Sequence, residues 1–281
     1  NGDNPGNGDN PENGDNSGNG DNPGNGDNPG NGDNPENGDN SGSGGNSGNV
    51  DNPENGGNSG SGESQTPFAK GETFTISKVT YKITKVGEEV EMTTSKSTAA
   101  KVSINTVTGT DGVKYKVTSI GSKAMQNNKK MTRLTIGTNV KTIGANAFSG
   151  CTKLTTVAFG KNVATIGASA FKGCTSLKKT LTLPDSVKTI GASAFSGCNK
   201  ITAVTIGKTS KSSLTTIGKS TFNGCKKLGK VTIKSTKLSS VGKQAFKGTK
   251  SSLKVKVPSK RLTKYKKILK KAGLKVKQVT K

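Results

Sequence analysis

From Ile120 to Leu253 one arrangement of apolar and polar positions occurs six times. Ile143, Gly144, Ala147, Phe148, Gly150, Cys151, Leu154 and Val157 set it out. It recurs as Ile166, Gly167, Ala170, Phe171, Gly173, Cys174 and Leu177, then from Ile190 to Val204 and from Ile217 to Val231. Looser copies begin at Ile120, with Met125 in the Phe position, and at Val241, with Thr249 in the Cys position. Steps between first positions are 23, 23, 24, 27 and 24 residues. A unit this short cannot enclose its own apolar side chains, so each must stack on its neighbours. The pattern predicts a short strand turning Leu154, Val157 and Phe159 inward, further inward positions at Val163 and Ile166, and a turn at Gly167. Ala170 and Phe171 then fall on a tight turn or short helix on the other side. Parallel strands stack ~4.8 Å apart, so six coils predict a rod on the order of 30 Å long. Phe148, Phe171, Phe195, Phe222 and Phe246 would form a column inside it.

Leu154, Val157 and Phe159, at L-x-x-V-x-F spacing within a period in the twenties, mark a leucine-rich repeat solenoid. The predicted fold is therefore a parallel, concave β-sheet with short turns or helices on the convex side. Before the repeats, Phe74 and Ile76, then Val79, Tyr81 and Ile83, then Val90 and Met92, then Val102 and Ile104 alternate at period two. Thr110, Asp111 and Gly112 make a hairpin turn leading to Val113, Tyr115 and Val117. Residues 67–119 thus read as a β-rich N-terminal cap and 120–257 as six repeats. Beyond Pro258, Leu262, Tyr265, Ile268, Leu269 and Ala272 recur at helical spacing up to Gly273. Residues 258–281 read as a C-terminal cap of helix and strand. The helix's other face is basic, with Lys260, Arg261, Lys264, Lys266, Lys267, Lys270 and Lys271. Such a helix can lie on a membrane or in a partner groove, but its apolar stripe is what closing the last repeat requires.

Charge divides the chain at about residue 67. The formal net charge is +25 over 281 residues. Residues 1–66 hold no Lys or Arg and twelve acids, whereas the rest holds all 43 basic groups and six acids, a formal +37. Opposite charge in two halves predicts an interaction tail and an anion-facing domain. The tail is ten copies of the hexad Asn-Gly-Asp-Asn-(Pro/Ser)-(Gly/Glu), decaying after Asn40, with Val50 its only aliphatic residue. Ordering it would bury almost nothing against backbone entropy. It reads as a disordered spacer with a reach of roughly 45 Å. Calcium-binding Gly-x-Asp arrays carry a large apolar residue every nine positions, which this hexad lacks. No stretch approaches the ~20 apolar residues of a membrane span. Asn1 without an initiator Met points to a mature form or an excised C-terminal piece.

The four cysteines, Cys151, Cys174, Cys198 and Cys225, stand 23, 24 and 27 residues apart. A zinc site needs ligands converging on one point. Here each Cys occupies the same position of successive coils, with Asn128 and Thr249 in that position at the ends. The expectation is a column of buried free thiols and no metal. The chain has no His and no Trp. General-base, nucleophile and most metal chemistry rests on His or paired carboxylates. Of the six body acids, Glu88, Glu89 and Glu91 cluster and Glu72, Asp111 and Asp185 are scattered. This inventory argues against an enzyme and implies no cofactor.

The Ile-Gly-x-x-Ala-Phe-x-Gly-Cys-x-x-Leu unit of residues 120–257 resembles the BspA-type leucine-rich repeat of bacterial surface and secreted proteins. The resemblance implies an extracellular or cell-surface location and a non-enzymatic adhesion or protein-binding module. Its partner would be a protein or glycan on host or neighbouring cells. Leucine-rich solenoids usually bind on the concave strand face. The solvent-facing positions expected there are Thr132, Arg133, Thr135, Thr155, Thr156, Thr182, Thr202, Thr205, Lys230 and Thr232. A Thr-covered sheet can equally express plain β-propensity on a solvated face. The other reading is an electrostatic attachment module for teichoic acid, acidic glycans or nucleic acid bound without sequence specificity, drawn by the basic body. Neither reading calls for membrane insertion.

Overall fold

A computed structural model of the chain describes residues 66–281, which form a β-solenoid. The acidic segment, apart from Thr66, lies outside the described residues, and with it the spacer reading. The described part opens with the antiparallel strands β1 (Thr73–Ile76), β2 (Val79–Lys85) and β3 (Glu89–Ser95). Next come β4 (Lys101–Ile104) and a hairpin of β5 (Thr106–Thr108) and β6 (Lys114–Ile120). From there longer strands alternate with strands of two residues. The longer ones are β7 (Arg133–Ile136), β9 (Thr156–Ala158), β11 (Lys179–Leu183), β13 (Ile201–Ile206), β15 (Lys230–Ile233) and β17 (Lys254–Lys256). Between them lie β8 (Thr142–Ile143), β10 (Thr165–Ile166), β12 (Thr189–Ile190), β14 (Thr216–Ile217) and β16 (Ser240–Val241). Helix α1 (Leu262–Lys271) and β18 (Val279–Thr280) close the chain.

Each coil therefore builds two parallel ladders. In one, Met92, Ile120, Ile143, Ile166, Ile190, Ile217 and Val241 stand opposite one another. Sequence periodicity showed the Ile positions but not that each Thr-Ile pair is a strand. Two residues are too few to display an alternation. In the other ladder β4 pairs with β7, placing Ile104 opposite Ile136. Stacking thus begins one coil before the first legible repeat, inside the segment read as a cap. At the far end β18 pairs with β17 and extends the ladder beyond the sixth copy.

Packing follows the repeat. The rings of Phe148, Phe171, Phe195, Phe222 and Phe246 stack face to face with centroids 5.2, 5.3, 5.6 and 5.7 Å apart. Offset stacks at this spacing add to the energy of burial. Ala147, Ala170, Ala194 and Ala245 beside them are wholly buried, and no helix forms there: the Ala-Phe segments are turns. The glycine that opens each turn is a matter of clearance. A Cβ on Gly191 would lie 2.5 Å from the backbone nitrogen of Ala168 in the preceding coil.

The longer-strand face is split, with β4-β7-β9 forming one sheet and β11-β13-β15-β17-β18 another. The cause is local. Leu177 and Leu181 are separated by one residue more than Leu154 and Val157, and Lys179 between them takes left-handed backbone, φ 60°. Pro184 then stands where Gly137 and Gly207 donate their N–H to Ile104 and Leu183 of the coil before. Proline has no N–H to give. Beside the split, Val157 and Phe159 are half-buried, less enclosed than the inward positions expected of them.

The two ends are closed by side chains that reach into turns. Tyr265 and Leu269 of α1 are buried, and the helix packs on β16 and β18. The Tyr265 hydroxyl donates to the Ser235 carbonyl at 3.0 Å and accepts the Leu238 N–H at 3.0 Å. At the N-terminal end the Asp111 carboxylate accepts the Tyr115 hydroxyl at 2.5 Å and the Val113 and Phe68 N–H groups at 3.1 and 3.3 Å. Burial works to raise the Asp111 pKa, but these donors hold it below the usual carboxylate range. Burial and the Asp111 contact push the Tyr115 phenol up to about 12. No helix among the described residues is long and apolar enough to cross a membrane.

Candidate binding face

Strand alternation sets which side chains leave the core. On β7, Leu134 and Ile136 are buried while Arg133 and Thr135 are exposed; on β11, Leu181 and Leu183 are buried while Thr180 and Thr182 are exposed. Parallel register then aligns the outward positions into rows. In the three-stranded sheet Lys101, Arg133 and Thr156 form one row, and Ser103, Thr135 and Ala158 the next. In the five-stranded sheet the rows are Thr180, Ala203, Lys230 and Lys254, and Thr182, Thr205, Thr232, Lys256 and Thr280. The face is hydroxyl-bearing in the middle and cationic towards both ends.

Of the expected face residues, Arg133, Thr135 and Thr156 come together on the first sheet, and Thr182, Thr205, Lys230 and Thr232 on the second. Thr202 is exposed on β13 at the register shift. Thr132 and Thr155 sit just before their strands, and their hydroxyls donate to the Ala100 and Thr132 carbonyls at 3.0 and 2.9 Å. Those two hydroxyls tie coil to coil. Sequence reasoning missed the lysines in line with these threonines, Lys101, Lys254 and Lys256. The alternation in Lys254, Val255, Lys256 and Val257 was the signal that could have found them.

The strand face also carries an insertion. The 27-residue coil adds Lys208, Thr209, Ser210 and Lys211 after β13, and Asp185 of the previous coil pins this loop. Its carboxylate accepts the Lys208 and Thr209 N–H groups at 2.7 and 3.0 Å and the Thr209 hydroxyl at 3.0 Å. Burial works against the charge, but these donors keep the Asp185 pKa below its ordinary value.

The thiol column runs through the interior and does not reach this face. Cys151, Cys174, Cys198 and Cys225 are free and fully buried. Each Sγ lies 3.2–3.3 Å from a carbonyl of the preceding coil, those of Met125, Phe148, Phe171 and Phe195. Burial pushes the Cys151 thiol up to about 11 and Cys225 to about 12, and it raises the Cys174 and Cys198 thiols as well. Neutral thiols of this kind are poor nucleophiles and poor metal ligands. Among the described residues no group of three or more His, Cys, Asp or Glu side chains could hold a metal.

The model of the BspA type leucine-rich repeat region matches residues 95–202 and 155–271 in six copies, more than half of the chain. No curated protein sequence matches the chain. Among solved structures, a leucine-rich cell surface protein from Faecalibacterium prausnitzii is similar, at 26% identity and TM-score 0.55. The alignment covers 67% of this chain and 51% of that one. The pneumococcal vaccine antigen PcpA is similar in fold alone, at 24% identity and TM-score 0.57, over 68% of this chain and 51% of that one. The chain thus spans about half the length of either solved structure. With its Phe, Gly and Cys positions stacked coil upon coil, the chain belongs to the BspA-type leucine-rich repeat family.

Proposed function

We propose that the protein is a non-enzymatic adhesion or protein-binding module displayed on a bacterial surface or secreted, and that it binds through the longer-strand face. The observation that carries this reading is the alignment of outward side chains. Thr182, Thr205 and Thr232 stand in register on one sheet, with Lys230 and Lys254 in the neighbouring row. A rigid backbone presents these groups without ordering cost, which favours docking of a partner. The surface location is supported by likeness to the Faecalibacterium cell surface protein. The partner is a protein or glycan of host or neighbouring cells. Binding to an immobilised panel of mucin and extracellular-matrix glycoproteins tests the idea. Arg133→Ala or Thr205→Glu should abolish capture of whichever protein binds, with a loss of ~2 kcal/mol or more if the residue lies at the contact centre. Capture unchanged in every face variant would refute the strand-face reading.

A second reading has its own support. Two ion pairs, Lys85 with Glu88 at 2.7 Å and Lys141 with Glu89 at 3.7 Å, are the ones found among the described residues. Nearly all of the body's basic groups are therefore uncompensated and available to an anionic polymer. Such binding weakens linearly in log–log fashion with salt. A protein partner should instead respond to single Thr or Arg changes on the strand face.

A further inference from the structure

The anchored insertion forms one wall of a pocket at the end of the strand face. The pocket has a volume of about 470 Å³ and is lined by Ser210, Thr232, Lys234, Lys256 and Ser259, with Val257 and Pro258 as an apolar wall. That volume falls within the ~300–1,000 Å³ of small-molecule sites. Its position follows from the fold. Thr232 and Lys256 are adjacent in register on β15 and β17, and Lys234 leaves the end of β15. Ser210 comes from the loop that Asp185 holds, and Ser259 from the turn that leads into α1. Lys234 and Lys256 are exposed, and neither is in an ion pair. Lys281, the last residue of this sequence, also lines the pocket, and no Asp or Glu side chain does.

We propose that this pocket binds an acidic sugar segment, a pyranose carrying carboxylate or sulfate. Two ammonium groups meet its anions as charge-assisted donors. Three hydroxyls, from Ser210, Thr232 and Ser259, exchange hydrogen bonds with ring hydroxyls, and Pro258 offers a C–H surface to the face of the ring. A bare phosphodiester chain has charge for the lysines but no ring face for that wall. The proposal rests on the anionic-polymer reading and narrows it to one place and one chemistry.

Calorimetric titration of the full chain with a heparin-derived tetrasaccharide at physiological salt tests it. Two double variants of equal charge are compared: Lys234→Gln with Lys256→Gln in the pocket, and Lys161→Gln with Lys172→Gln on exposed positions of distant coils. Thermal melts of both confirm folding. The expected result is saturable 1:1 binding that weakens on the order of tenfold in the pocket variant, while the distant variant stays close to the parent. Thr232→Val should weaken binding without changing charge. Equal weakening in both double variants would overturn the pocket and leave diffuse attraction standing. No binding by the parent chain would overturn both. A neutral tetrasaccharide binding as tightly, or a DNA oligonucleotide of equal charge displacing the sugar, would overturn the choice of ligand.

Discussion

The Sγ of Cys198 lies 3.2 Å from the carbonyl oxygen of Phe171, one coil earlier, and donates to it. The same contact is made by Cys151 to Met125, Cys174 to Phe148 and Cys225 to Phe195, so the thiols act as a ladder of weak donors. Each of these carbonyls already accepts an N–H within its own turn, from Asn128, Cys151, Cys174 and Cys198, so the thiol adds a second donor that links one coil to the next.

Native protein should therefore resist alkylation. With iodoacetamide at pH 8, mass spectrometry should show four slowly labelled thiols, and four labelled at once after denaturation. A disulfide, or rapid labelling of all four in the native state, would contradict the buried ladder.

The same burial gives stability an alkaline limit. A thiol whose pKa is raised in the folded state contributes stability in full below its unfolded value of ~8.5, and that contribution is lost as pH rises towards the folded value. With Cys151 at about 11 and Cys225 at about 12, melting temperature should fall between pH 8.5 and 11. A variant with all four replaced by Ser, if folded, should fall less over that range. An equal decline in both proteins would show that the thiols are not the cause.

Gly191 tests how closely the coils approach. Gly191→Ala puts its Cβ 2.5 Å from the Ala168 nitrogen, whereas at Gly229 a Cβ would meet only the Lys250 side chain at 3.5 Å. Overpacking against backbone costs ~1–3 kcal/mol, so Gly191→Ala should melt well below the parent and Gly229→Ala near it. Matching melts for the two variants would mean that the coils can separate freely.

Much of this architecture was legible because the repeat writes itself in residue types that have one physical use each. Phe148 to Phe246 showed the ring column and Cys151 to Cys225 the thiol column, since both recur once per coil. The two-residue strands were not legible, because Thr-Ile is too short to show a period and becomes a strand only against its neighbour. Nor was the coil of Met92 and Ile104, whose connection is interrupted by the β5–β6 hairpin, so its spacing does not match the others. The split beside Pro184 depends on an N–H that is missing, and a missing donor matters only once the acceptor across from it is known. On the binding face, threonine positions followed from alternation. That Thr132 and Thr155 spend their hydroxyls on neighbouring carbonyls depends on geometry that the alternation does not encode.

The stack itself is tested most directly by comparing two truncations of the same ring. Phe195 lies between Phe171 and Phe222, whereas Phe246 has a ring on one side only. Phe195→Ala should cost about 3–5 kcal/mol from the cavity and lost burial. Because each coil contacts only its neighbours, that loss divides the solenoid at its centre, while Phe246→Ala frays one end. Thermal melts of the two variants should therefore show Phe195→Ala as clearly the less stable. A lower melting temperature for Phe246→Ala would contradict a stack built by nearest-neighbour contact.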